Sequence, residues 1–270
     1  MNANTQGIDI DAIVRAKSGK WARFVPRWLT RRLARIIHQD FINHYLQRGF
    51  VGVDFCTNLP EYLGVEVTPE GLENLPADGR PCIFVSNHPL GAIDGVTLIG
   101  IIGQHYDGRV TSLVNDLLMN LKGLAPLCVP INKQGRLARN VPAMVEETFR
   151  SDRHVFMFPA GLCSRRQTDG TIRDLPWNKA FVVKSVQFQR DVVPIHFMGQ
   201  NSPRFYAVAQ WCKRLHLPNF AMALLPDEMY ISRGNHYRVR FGKPIPWQTF
   251  DKTKTPMQWA AWVQDRVYEI

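Results

Sequence analysis

The sequence predicts an α/β fold, a mixed and mostly parallel sheet flanked by helices, preceded by a basic amphipathic helical segment. Short apolar runs bounded by Gly, Pro, Asn or Asp recur along the chain, and helix-length stretches fill the gaps between them. The N-terminal stretch, by contrast, accumulates arginine and tryptophan and offers no strand. A chain of 270 residues with 45% hydrophobic content can bury a full core. It divides into an N-terminal helical segment at 1–58 and an α/β domain at 59–270.

Between Asp11 and Asp40 there is no acidic residue, while Arg15, Lys17, Lys20, Arg23, Arg27, Arg31, Arg32 and Arg35 accumulate and contribute to the net charge of +10. At 100° per residue Arg27, Arg31, Arg32 and Arg35 fall on one arc of a helix. Leu29, Leu33, Ile36, Ile37 and Phe41 fall on the other. Trp21, Phe24 and Trp28 lie in or just before this helix, where indole rings settle at a lipid headgroup layer. Two readings stand: an interfacial helix on an anionic leaflet, or a surface helix packing its apolar stripe on the domain. Nucleic acid also rewards arginine clusters, but no RNP-type aromatic pattern, zinc finger or clear helix-turn-helix accompanies the charge.

No basic start and long apolar run marks a signal peptide, and no stretch reaches about 18 uninterrupted apolar residues. The five cysteines, Cys56, Cys82, Cys128, Cys163 and Cys212, are scattered and never arranged as CxxC. Neither a disulfide framework nor a zinc site is expected, and a reducing cytosolic setting fits. Neither a Walker loop nor GxGxxG is present, and His38 and His44 lack the i, i+4 spacing of a helical metal site. No metal and no cofactor are expected.

Strands are expected at 82–86, 127–131, 155–158, 192–197, 221–225 and 237–241. Helices are expected at 92–103, 141–150 and 178–189, with 59–80 as the joint to the N-terminal helices. The run from Thr255, with Trp259, Trp262 and Val263 at i, i+3, i+4, reads as a closing helix on the sheet. Ligands are expected at the strand ends.

One such end reads VSNHPLGAIDG, Val85 to Gly95. With a strand before it and a helix after, His88 lies in the turn and Asp94 on the first helical turn, so the side chains can meet. A carboxylate on one imidazole nitrogen fixes the tautomer and leaves the other free to take a proton. The helix N-terminus favours the neutral ring, Pro89 sets the turn, and Gly91 and Gly95 keep space beside the pair. The plainer alternative makes Asn87 a helix cap, Asp94 a first-turn carboxylate and His88 an ordinary turn residue. Cys163 beside Ser164 lacks a partner His at a diagnostic spacing and a GxSxG elbow, so it reads as an inert buried thiol. His196, inside an apolar run, reads as a core or pocket-lining side chain. Asn201 and Ser202 line the acceptor side or form a plain turn.

Three further blocks accompany this one: PLCVPINKQGRLARN, VFMFPAGLCSRR and VVPIHFMGQNS. Together, over roughly residues 82–202, they resemble the glycerolipid acyltransferase superfamily, whose best-known members acylate lysophosphatidic acid. Two departures stand out: five residues separate His88 from Asp94, and Ala160 replaces the family's Glu in FPAG. Both resemble the bacterial, hemolysin-like branch that O-acylates lyso-ornithine and lyso-glycine lipids. The resemblance implies His88 as base and Asp94 as its orienter, with Asn87, Gly91, Lys133, Arg136, Pro159, Gly161, Ser164, Arg165 and Arg166 around the substrates.

It implies acyl-ACP or acyl-CoA as co-substrate, a lysolipid acceptor, and a peripheral place on the cytoplasmic face of the inner membrane. Backbone amides in the 159–162 turn are candidates for the oxyanion, and Arg165 and Arg166 with Lys133, Arg136 or Arg139 for an anionic head. The alternatives are a lysophosphatidate acyltransferase, an ester hydrolase using the same pair, and a non-catalytic membrane-surface protein.

Overall fold

The computed structural model describes residues 7–131 and 140–270, except for a few side chains, Trp21 among them. Seven strands, β1 Glu66–Glu70, β2 Ile83–Ser86, β3 Val110–Val114, β4 Cys128–Pro130, β5 His154–Met157, β8 Val192–Met198 and β9 His236–Phe241, form one sheet. A two-stranded hairpin, β6 Arg165–Arg166 and β7 Ile172–Arg173, lies outside it. The sheet order is β1-β9-β8-β2-β5-β3-β4. The last five are mutually parallel, while β9 runs against β8 and pairs in parallel with β1. The fold is therefore the mixed, mostly parallel α/β class expected.

Strand residues alternate between two cores, as period-two side chains must when both faces of a sheet are covered. Phe84, Phe156, Val193, Ile195 and Phe197 join the core shared with α4 (Val53–Leu63) and α5 (Ile93–His105). Ile83, Val85, Val155, Met157 and Val192 join the opposite one, shared with α6 (Val141–Arg150), α7 (Ala180–Phe188) and α10 (Pro256–Glu269). The expected closing helix is α10: Thr255 and Gln258 form its capping box, and Trp259 and Val263 are buried.

This arrangement positions the site. The chain leaves β2 through α5 on one face to reach β3, and leaves β5 through α7 on the other face to reach β8. The two connections diverge at neighbouring strands, and by the rule for open α/β sheets the strand-end crevice where a ligand is expected lies beyond the C-terminal ends of β2 and β5.

Some expectations fail. Residues 221–225 are not a strand but part of a 3₁₀ turn, Phe220–Leu224, leading into α9 (Leu225–Ile231). Ala, Met and Leu lack the β-branch that fits a pleated surface, and Pro226 suits the first turn of a helix. β3 was not anticipated, nor was β1, whose EVTPE is charged and largely accessible as befits an edge. The N-terminal arm comprises α1 (Ile10–Ser18), α2 (Arg27–Ile36) and α3 (Gln39–Leu46), and α4 spans the expected boundary at 58/59. The single helix running on to Phe41 breaks at His38, whose φ of 53° is left-handed.

Candidate active site

Asn87 directly follows β2 and fastens its end to the neighbouring strand β8. Its Nδ2 donates to Phe197 O at 2.9 Å and its Oδ1 accepts the Phe197 N–H at 2.7 Å. It is therefore not the helix cap of the plainer alternative, since α5 starts after Ala92 without a side-chain cap. His88 follows in the turn, and its Nδ1 lies 3.0 Å from Asp94 Oδ2. Asp94 is completely buried and also accepts the N–H groups of Leu90 (2.8 Å), Gly91 (3.2 Å) and Gly95 (2.8 Å).

Burial pushes the Asp94 carboxyl up, but the His88 ring and these N–H groups outweigh it and hold it below the usual carboxylate range. An ionised Asp94 accepts a hydrogen bond from Nδ1–H, so Nε2 presents its lone pair and has no protein partner among the described residues. The imidazole is 14% exposed and stacks on Phe158, which follows β5, with ring centroids 3.7 Å apart. Strand ends β2 and β5 thus hold one ring between them.

Gly91 has a φ of 84°, and a Cβ there would stand 2.5 Å from Cys163 Sγ and 2.7 Å from Leu225 Cδ2. The turn that separates His88 from Asp94 by five residues therefore requires glycine at this point. Asp174, which the sequence did not single out, braces it from outside: Oδ1 accepts the His88 N–H (3.1 Å) and the Ser164 hydroxyl (2.6 Å), and Oδ2 accepts Trp177 Nε1–H (2.9 Å). Burial raises its pKa. The Asp174 N–H in turn donates to the Tyr268 hydroxyl at 2.8 Å. Ser164 is buried and donates its N–H to His88 O at 2.8 Å, which makes it a tie between the β5 loop and the His88 turn.

The remaining expected residues fall into three groups. Pro159 is buried and its carbonyl accepts the Asn178 N–H at 3.0 Å, while Gly161 turns the chain with a φ of 68°. The oxyanion expectation narrows: proline has no N–H, and that of Gly161 donates to Phe158 O at 3.0 Å. Only the Ala160 and Leu162 amides of this turn keep N–H groups without a protein acceptor among the described residues.

Arg165 donates to Cys163 O (2.6 Å) and Ser164 O (3.2 Å) and lies over the Phe205 ring, whereas Arg166 is exposed on the hairpin. Lys133, Arg136 and Arg139 lie outside the described residues.

Cys163 is buried, and burial pushes its thiol up to about 12, which suits an inert side chain. His196 is half-buried, and its Nδ1 meets Ile270 O at 3.0 Å. Asn201 Nδ2 donates to Pro89 O at 3.1 Å, which ties the segment after β8 to the His88 turn. Among the described residues no group of His, Cys, Asp and Glu could hold a metal ion, and no helix is long and apolar enough to cross a membrane.

A turn-borne His–Asp pair with a free Nε2, set at the divergence point of a parallel sheet, defines a general-base site able to activate a hydroxyl. Residues 12–269 match the acyltransferase family, and the chain belongs to it. It is 54% identical over 266 residues to lyso-glycine lipid O-acyltransferase of Bacteroides thetaiotaomicron, covering 97% of each chain. With the enzyme of the same name from Phocaeicola vulgatus it shares 55% identity, covering 97% of this chain and 95% of that one. The 1-acyl-sn-glycerol-3-phosphate acyltransferase BAT2, chloroplastic, of Brassica napus is 32% identical over 137 residues, 48% of this chain and 36% of that one. Among solved structures the chain is similar to the 1-acyl-sn-glycerophosphate acyltransferase PlsC of Thermotoga maritima, with a TM-score of 0.49, 19% identity, and coverage of 96% and 87%. The resemblance read from the four sequence blocks is borne out: the protein is an enzyme that transfers acyl groups.

Proposed function

We propose that the protein O-acylates a lyso-aminolipid, most specifically a lyso-glycine lipid, with acyl-ACP or acyl-CoA as donor. One observation carries the chemistry: His88 Nδ1 is held by a buried carboxylate while Nε2 is free at the strand-end crevice. The Nε2 lone pair takes the proton of the acceptor hydroxyl as its oxygen attacks the thioester carbonyl. A C–O bond forms, the C–S bond breaks, and the imidazolium returns its proton to the departing thiolate. No acyl-enzyme is needed, which agrees with a buried, high-pKa Cys163. Asp94 is the positioning residue that sets the tautomer and stabilises the imidazolium. The Ala160 and Leu162 amides are the proposed donors to the oxyanion.

The names of the two relatives at 54% and 55% identity, each aligned over nearly its whole length, support the acceptor. Ala160 in FPAG, where lysophosphatidate enzymes of the resemblance carry Glu, points the same way. A bilayer-resident acceptor also gives the arm a purpose. Phe24 is 62% and Trp28 65% exposed, beside Arg23, Arg27, Arg31, Arg32 and Arg35, none of which has an ion-pair partner among the described residues. We place the protein peripherally, on the cytoplasmic leaflet of the inner membrane.

The test offers labelled acyl-ACP and acyl-CoA in parallel, with lyso-glycine lipid, lyso-ornithine lipid and lysophosphatidate as acceptors, to wild type and His88→Ala. Transfer to a lyso-aminolipid that disappears in the folded variant is expected. Product from lysophosphatidate alone would overturn the acceptor, and His88-independent product would overturn the mechanism.

A further inference from the structure

β8 and β9 are antiparallel neighbours, a pair that a two-residue turn can join. Instead residues 199–235 leave the sheet and build α8 (Pro203–Arg214), the 3₁₀ turn and α9. The inner stripe of α8, Phe205, Tyr206, Ala209 and Cys212, meets Ala221, Leu225 and Cys163 in a small core of its own. That core adjoins the catalytic turn, because Cys163 and Leu225 are the side chains that fill the space beside Gly91.

The outer surface of the excursion is unlike the rest of the domain. Trp211 is 68% and Phe220 56% exposed, and Leu215, Leu217 and Met222 between and beyond them are exposed as well. Trp211 and Leu215 stand at i and i+4, on one face of α8 and its C-terminal cap. No acidic residue occurs from Val192 to Pro226, while Lys213 and Arg214 lie among the exposed apolar side chains without ion-pair partners among the described residues. An apolar patch of this kind with basic residues threaded through it matches the chemistry of an anionic lipid surface.

The arm likewise exposes Trp28 and Phe24 beside arginines of α2 that have no ion-pair partner among the described residues, and Asp227 connects the two regions. His38, just after α2, meets Asp227 Oδ1 at 2.7 Å, and Arg204 of α8 pairs with Asp227 Oδ2. The His38 ring stacks on Tyr230 of α9 with centroids 3.6 Å apart.

We infer that the α8–α9 excursion is a second anionic-membrane contact, clamped to the arm through Asp227, that holds the catalytic turn at the bilayer where the lipid acceptor resides. This rests on the reading of the acceptor as a membrane lipid.

The experiment measures sedimentation of the full-length protein with phosphatidylcholine vesicles, with and without phosphatidylglycerol, together with turnover of a vesicle-borne and of a short-chain, monomeric acceptor. Trp211→Ala/Phe220→Ala removes only exposed side chains, and is expected to weaken partition into both kinds of vesicle by roughly tenfold or more. Lys213→Gln/Arg214→Gln is expected to weaken binding to the anionic vesicles alone, by about fivefold per charge. Turnover of the vesicle-borne acceptor should fall in parallel, with the monomeric acceptor unaffected. If both variants bind as wild type does, the excursion is not a lipid contact, although the arm remains one. If they instead lose turnover of the monomeric acceptor with acyl-ACP but not with acyl-CoA, the patch docks a carrier protein and the inference fails. If wild type itself binds neither vesicle, the membrane reading falls and the inference with it.

Discussion

The crevice and the arm are opposite solutions to the same problem of polar and apolar groups. In the crevice, every residue of β2 is buried, and Asp94 is enclosed with four donors directed at it. On α2 only Thr30 is buried, held by Asp11 at 2.6 Å, while Trp28, Leu29 and Ile36 face outward beside arginines with no ion-pair partner among the described residues. The crevice is complete within the chain; the arm, on the membrane reading proposed above, is not. Substitutions in the first should therefore register as lost chemistry or stability in solution, and those in the second only when a surface is supplied.

The largest expected effect is in the crevice. Replacing the proposed general base by His88→Ala should lower kcat by about 10²–10⁴-fold, the contribution of a positioned base, in a variant that still folds. Asp94 keeps its three backbone N–H donors without the imidazole, so the turn persists, at a cost from the lost stacking on Phe158. Activity within a few-fold of wild type would remove His88 from the mechanism.

Gly91→Ala comes next and separates geometry from chemistry. A left-handed alanine costs about 1–2 kcal/mol, and overpacking against Cys163 and Leu225 adds about 1–3 more, so a loss of a few kcal/mol in chemical denaturation is expected. Because Gly91 donates to Asp94, activity should fall even at temperatures where the variant is folded. A fully stable and active variant would show that the turn tolerates a side chain.

How much of this could be read from the sequence depends on distance along the chain. His88 and Asp94 were legible because both ends of their hydrogen bond lie in one turn after an apolar strand, and β2, β5 and β8 were legible as apolar runs. Asp174 and Tyr268 were not. They meet the turn or its brace across 86 and 94 residues, and nothing local in TIRDLPW marks its aspartate as a partner of His88. The edge strand β1 escaped because its solvent-facing residues carry no apolar alternation, and 221–225 misled because a short apolar run has the same composition in a strand and in a tight helical turn. The break at His38 was hidden for a further reason: a left-handed histidine is held there by Asp227 and Tyr230, and both lie far away in sequence.

A smaller effect sharpens the buried side through pH. His154 is fully buried in β5, accepts the Cys82 N–H on Nδ1 at 3.2 Å, and has no partner for Nε2 among the described residues. Burial lowers its pKa from 6.5 to about 4, with Arg109 adding to the shift. The unfolded chain takes up a proton below about 6.5 that the folded chain refuses until about 4. Stability from this group is thus present above 6.5 and lost as pH falls through that window, by about 2 kcal/mol between pH 7 and pH 5. His154→Asn should lose stability at pH 7, where Tyr106 no longer has a ring to stack on, yet show a shallower decline toward pH 5. Parallel denaturation curves of the two proteins at both pH values decide it, and an unchanged slope would mean that His154 titrates normally.

The smallest expected effect lies on the arm, and it is the one that can break the comparison. Arg31→Gln/Arg35→Gln should leave the melting temperature and the turnover of a monomeric acceptor unchanged, because neither guanidinium has an ion-pair partner among the described residues. Each lost charge should weaken binding to anionic vesicles by about 1 kcal/mol, and raising the salt should erase the difference from wild type by screening the remaining arginines. If the double variant instead lowers the melting temperature, these arginines hold the fold together. The arm would then belong with the crevice as a part that the chain completes by itself, and the exposed Trp28 and Phe24 would need an explanation other than a lipid surface.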